Sequence, residues 1–114
     1  MMLAKLRAAL AGISYCLRTQ VNMAIHLAAM LAVLVAGYYF RLQTWEWVAL
    51  TITITLVLAA EALNTAVEVT VNLYTGKYHP LARIAKDVAA GAVLITALGA
   101  VAVAYFIFGP RLGF

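Results

Sequence analysis

Three long apolar runs, separated by two short polar segments, constrain this chain more than any other feature. The first leads from "VNMAIHL" to "AGYYF", the second from "TWEWVAL" to "VNLY", and the third closes on "AVAYFIF" ahead of "GPRLGF". Each reaches or exceeds the roughly 20 residues with which an α-helix crosses a hydrocarbon layer about 30 Å thick. Hydrophobic residues make up 67% of the chain and charged ones 11%, far more apolar side chain than 114 residues bury in a globular core. The solvent for these surfaces is lipid. The expected fold is an all-α membrane protein, one unit over 1–114, with crossings at about 22–40, 45–74 and 84–108.

The polar residues set borders and orientation. "MMLAKLRAALAGISYCLRTQ" carries Lys5, Arg7 and Arg18 among apolar residues, which fits an amphipathic helix over about 2–19 lying at the interface. It does not fit a cleaved signal, because charges interrupt its apolar run and no small-residue cleavage site stands out. Tyr38, Tyr39 and Phe40 mark one interface, and Trp45 and Trp47 mark the re-entry of the chain. "TGKYHP" breaks the second helix from the third. Lys5, Arg7, Arg18, Lys77, Arg83 and Lys86 fall on one side of the bilayer, and Arg41 and Arg111 on the other. The positive-inside rule then places the N-terminus and second loop in the cytoplasm and the C-terminus outside. The net charge of +4 is thus read as topology, and no nucleic-acid partner is expected. Cys16 is the single cysteine and reads as a small apolar helix residue.

Against this background Glu61, Asn64 and Glu68 are costly. Their i, i+3, i+7 spacing puts them on one face of the second helix, and Asn72 extends the stripe. The sixteen steps from Trp45 to Glu61 cover about 24 Å, which places Glu61 just inside the cytoplasmic boundary and Glu68 at it. Such a stripe faces protein, water or a cation. Taken alone it suits hydrogen bonds between packed helices, a proton-coupled transporter, or a catalytic site. A relay through the membrane is disfavoured, since only Thr51, Thr53 and Thr55 continue outward and threonines in such helices bond their own backbone. Lys86 and Asp87 open the third crossing, with Lys77, His79 and Arg83 nearby. Acids for a hard cation beside bases for phosphate oxygens are what phosphoryl transfer needs, although no GxxxxGK[ST] loop occurs.

With "EALNTAVE", "YHPLARIAKDVAAGAVL" and the upstream "NMAIHL", the chain resembles the small prokaryotic integral-membrane diacylglycerol kinases, above all the Gram-positive members acting on undecaprenol. The resemblance covers nearly the whole chain. It implies a homotrimer in the bacterial plasma membrane, with sites shared between neighbours at the cytoplasmic interface. It implies Mg2+ as cofactor, ATP as co-substrate and a membrane lipid alcohol as acceptor, undecaprenol first and diacylglycerol second. By matching position, Glu61 looks like the general base for the lipid hydroxyl and Asn64 like the residue orienting the site. Glu68 looks like a ligand of the magnesium ion bridging the ATP phosphates, Lys86 and Asp87 like the pair contacting the nucleotide, and His79 like part of the nucleotide-side loop.

One position departs from the pattern. Family members typically carry a second metal-ligating glutamate in a first-helix "TExN" motif, whereas this chain reads "RTQVN" with Gln20 there. A carboxamide offers magnesium an oxygen without a charge, so weaker metal binding and reduced activity are expected. A natural member with altered metal use, an engineered change and a shift of ligation to another residue all fit. A non-catalytic partner descended from the kinase rests on Gln20 alone.

Overall fold

The computed structural model describes all 114 residues as four helices and a closing 3-10 turn. Helix α1 spans Met2–Thr19, α2 Val21–Phe40, α3 Thr44–Tyr74 and α4 Pro80–Phe108, and the turn covers Pro110–Leu112. The last three are long and apolar enough to cross a membrane. Only 13 residues are buried, and large apolar side chains on α4 such as Leu94, Leu98, Val101 and Phe106 lie bare. A surface of this kind is stable only against hydrocarbon, as in a multi-pass membrane protein.

Local chemistry explains the breaks. In α1, Leu3, Leu6, Leu10, Ile13 and Leu17 repeat at alternating three- and four-residue steps and form one apolar stripe. Arg7, Ser14 and Arg18 lie on the adjoining face, where Arg18 donates to Ser14 at 3.3 Å. Gln20 is the one extended residue between α1 and α2 (φ −111°, ψ 113°), so the chain turns there without a loop. Arg41 ends α2 in the left-handed region (φ 54°), its N–H bonding the carbonyls of Gly37 and Tyr38. α4 begins at Pro80 rather than near 84. A proline at the first helical position gives up no hydrogen bond there, and His79 Nδ1 caps the helix by accepting from the Leu81 N–H at 3.1 Å.

α3 and α4 form the principal hairpin. Its hydrophobic core, Leu42, Leu50, Ile107 and Phe108, sits at the end near the α2–α3 turn. There α2 approaches closely, and a Cβ on Gly37 would lie 2.7 Å from the Trp47 ring. One carboxylate ties this end together. Glu46 is 3% exposed; it accepts from the Gln43 N–H at 2.9 Å, capping α3, and takes both Arg111 nitrogens at 2.7 and 2.8 Å. Arg111 also bonds the Ile107 carbonyl, so the clasp fixes the end of α4 to the start of α3. Removing one partner of such a pair strands the other charge. Arg111→Ala is therefore expected to lower Tm in detergent more than Arg111→Ala combined with Glu46→Gln, read by the fluorescence of Trp45 and Trp47. An equal loss in both would show that the stranded carboxylate contributes nothing.

The threonines of α3 behave as anticipated. Thr51, Thr53 and Thr55 donate to the carbonyls of Trp47, Ala49 and Thr51 at 2.7–2.9 Å. Their hydroxyls are thereby used locally and offer no path for a proton.

Candidate active site

The polar stripe lies in the half of α3 remote from the clasp. Glu61 is 2% exposed, Asn64 9% and Thr65 4%, while Glu68 is half-buried one turn further on. Asn64 Nδ2 donates to Glu68 Oε1 at 3.3 Å, which joins two of the three stripe residues. Thr65 spends its hydroxyl on the Glu61 backbone carbonyl at 3.0 Å. Two acceptors are left buried without a hydrogen-bond partner, Glu61 Oε1 and Asn64 Oδ1. Buried acceptors normally find donors, so an unmatched pair within one turn marks a place prepared for a hydroxyl, a water or a cation. The ionisable side chain that approaches Glu61 is His26 on α2, its Nε2 3.7 Å from Oε1.

A second cluster gathers where α3 ends and α4 begins. Lys86 Nζ donates to Asn72 Oδ1 at 2.7 Å, bridging the two helices. Arg83 and Asp87 face each other one turn apart at 3.4 Å, both largely exposed. The turn between the helices is pinned by Thr75, whose hydroxyl accepts from the Lys77 N–H at 3.2 Å. Asn72, Thr75, Lys77, His79, Arg83 and Lys86 border a pocket of about 200 Å³. Three permanent cations around one concavity attract an anion, and phosphate oxygens satisfy such a lining best.

The sequence matches the prokaryotic diacylglycerol kinase family over residues 7–108, nearly its full length. The chain belongs to that family. It is 44% identical over 101 residues to an undecaprenol kinase of Bacillus subtilis, covering 89% of this chain and 82% of that protein. It is also 44% identical over 112 residues to a diacylglycerol kinase of Synechocystis, covering 97% of this chain but 64% of that protein. A member of this family is a lipid kinase, a phosphotransferase built into the membrane, and membership implies the use of ATP and magnesium.

The residues of this kinase suit a magnesium ion that arrives with the nucleotide. No group of three or more His, Cys, Asp or Glu side chains is gathered into a ligand shell. Magnesium seldom needs one, because one or two carboxylates plus substrate phosphates and waters complete its octahedron. Glu68 supplies a carboxylate beside the unmatched Asn64 Oδ1, a hard-oxygen donor set of the correct kind. Gln20 sits half-buried at the α1–α2 junction, where its amide reaches Thr19 at 3.5 Å and not Glu68.

The kinase thus brings Asn64 to Glu68 and Lys86 to Asn72, and it holds Glu61 buried above them. His79 is built into the cap of α4, and Asp87 pairs with Arg83 at the surface. The sequence shows Asn72 as an extension of the stripe, but not that α4 folds back to place Lys86 on it. One partner carried little signal in the sequence. His26 is a lone histidine on an apolar helix, and only its spacing with Met30 and Val33, which puts all three on one face, hints at an inward role.

Proposed function

We propose that this kinase transfers the γ-phosphate of ATP to the hydroxyl of undecaprenol, with diacylglycerol as a slower second acceptor. The observation that carries the reading is the Glu61 carboxylate, buried and without a hydrogen bond that would saturate it, at the helix level that the sixteen steps from Trp45 put near the cytoplasmic interface. A carboxylate with a free lone pair there accepts the hydroxyl proton as the oxygen attacks phosphorus. The new O–P bond forms as the bond to ADP breaks, and the proton rests on Glu61. Asn64 holds Glu68 in place, and Glu68 is the carboxylate that would hold magnesium, which when bound would offset the negative charge that moves to ADP. Lys77, Arg83 and Lys86 hold the nucleotide phosphates, with His79 and Asp87 at the rim of that site.

Undecaprenol is placed first because the Bacillus relative named for it matches over more of its own length than the Synechocystis relative named for diacylglycerol. The same reading puts the N-terminus and the cation cluster on the cytoplasmic side and the C-terminus outside. It also assembles three copies with shared sites. In support, Glu61 stands eleven residues, about 16 Å of helix, from the Asn72 level that Lys86 occupies.

Transfer of labelled γ-phosphate to undecaprenol and to diacylglycerol, measured separately in micelles with magnesium, tests the reading. Undecaprenol is expected to be turned over at least about tenfold faster, a difference of roughly 1.4 kcal/mol in transition-state stabilisation. Preference for diacylglycerol would reverse the assignment of acceptor while keeping the kinase.

A further inference from the structure

We propose that His26 is the positioning residue of Glu61: its imidazole N–H holds the buried carboxylate so that the other oxygen faces the lipid hydroxyl. The inference rests on the assignment of Glu61 as the base. It begins from an elimination. Asn64 commits its amide N–H to Glu68, and Thr65 commits its hydroxyl to the Glu61 carbonyl. Neither donates to the Glu61 side chain. Of the groups around Oε1 that leaves His26, whose Nε2 lies 3.7 Å from that same unmatched oxygen.

The distance is informative. At 3.7 Å the pair is longer than a hydrogen bond, yet short enough that a small side-chain rotation closes it or that one oxygen bridges both groups. His26 is part-exposed at 22%, whereas Glu61 is sealed at 3%. The carboxylate is therefore shut off from donors outside the bundle, and the imidazole is the partly open group beside it. His26 also borders an apolar cavity of about 100 Å³ between α2, α3 and α4, lined by Met30, Val33, Val57 and Leu58 among others. Thr53 is the other polar residue of that lining and donates to the Ala49 carbonyl, which leaves His26 as the lining residue with an N–H to offer Glu61.

A base held in one orientation reacts faster than one that rotates, and misplacement by about 1 Å costs on the order of 100-fold. His26 acts through Glu61 and touches neither nucleotide nor metal, so its loss should appear in kcat and not in the KM for MgATP. The test compares His26→Leu, His26→Ala and His26→Gln with Glu61→Gln in the undecaprenol assay. His26→Leu fills the space without a donor, and His26→Gln retains an N–H at similar reach. The expected result is a fall in kcat of roughly 10- to 100-fold for Leu and Ala, KM for MgATP within about twofold of the parent, and recovery of most of the loss in Gln. If His26→Leu keeps parental kcat while Glu61→Gln is inactive, the positioning role is overturned and the base stands. If Gln is as defective as Leu, donation is overturned in the same way. If Glu61→Gln is itself active, base and positioning residue both fall. Should His26→Ala prove unstable, the Leu and Gln pair carries the comparison, with nucleotide binding as the control for folding.

Discussion

Glu61→Gln is expected to lower kcat by roughly 10²- to 10⁴-fold, the range that a positioned general base contributes, while the protein still folds and binds MgATP. So large an effect follows from the location of Glu61. Glu61 is 2% exposed on a helix whose surroundings are hydrocarbon, so no bulk water stands ready to accept the proton in its place. The glutamine keeps the shape and a carbonyl oxygen but cannot take a proton at any working pH. Stability should hold or rise, because the glutamine amide brings a donor and an acceptor to a buried site where Oε1 has no hydrogen-bond partner. A paired measurement separates chemistry from folding: phosphate transferred to lipid for the reaction, and nucleotide binding together with Tm for the fold. Loss of all three would make Glu61 a structural residue, and retention of transfer would remove it from the mechanism.

How much of this was readable without coordinates depends on the range of the interaction. The crossings were legible because hydrocarbon imposes length and composition on every helix, and a stripe at i, i+3, i+7 needs only helical geometry to place Glu61, Asn64 and Glu68 together. α4 starts at Pro80 because a proline that stops one helix also suits the first position of the next, here capped by His79. The Glu46–Arg111 clasp joins positions 65 residues apart, and nothing local to either predicts the other. The Lys86–Asn72 bridge and the His26–Glu61 approach likewise exist only once two helices lie side by side. Local periodicity therefore gave the polar face of α3, and tertiary packing supplied the partners on the neighbouring helices.

The second large effect concerns the metal. Glu68→Gln is expected to raise the magnesium concentration needed for half-maximal rate by roughly 10- to 100-fold, since a direct ligand should matter at least as much as the outer partners whose loss has that effect. Gln20→Glu is expected to move it the opposite way. Magnesium prefers charged oxygens, and the kinase presents Glu68 with only the neutral Asn64 beside it. The resemblance to the family places a glutamate at position 20, and Gln20 is the one extended residue at the α1–α2 junction, outside the regular helix on either side. If the glutamate ligates, the gain should appear as a lower magnesium requirement and a higher kcat in Gln20→Glu, and it should vanish in Gln20→Glu combined with Glu68→Gln if both bind one ion. Additive effects in the double variant would instead place the two residues at separate sites, and an unchanged magnesium dependence in Gln20→Glu would mean that ligation has passed to another residue.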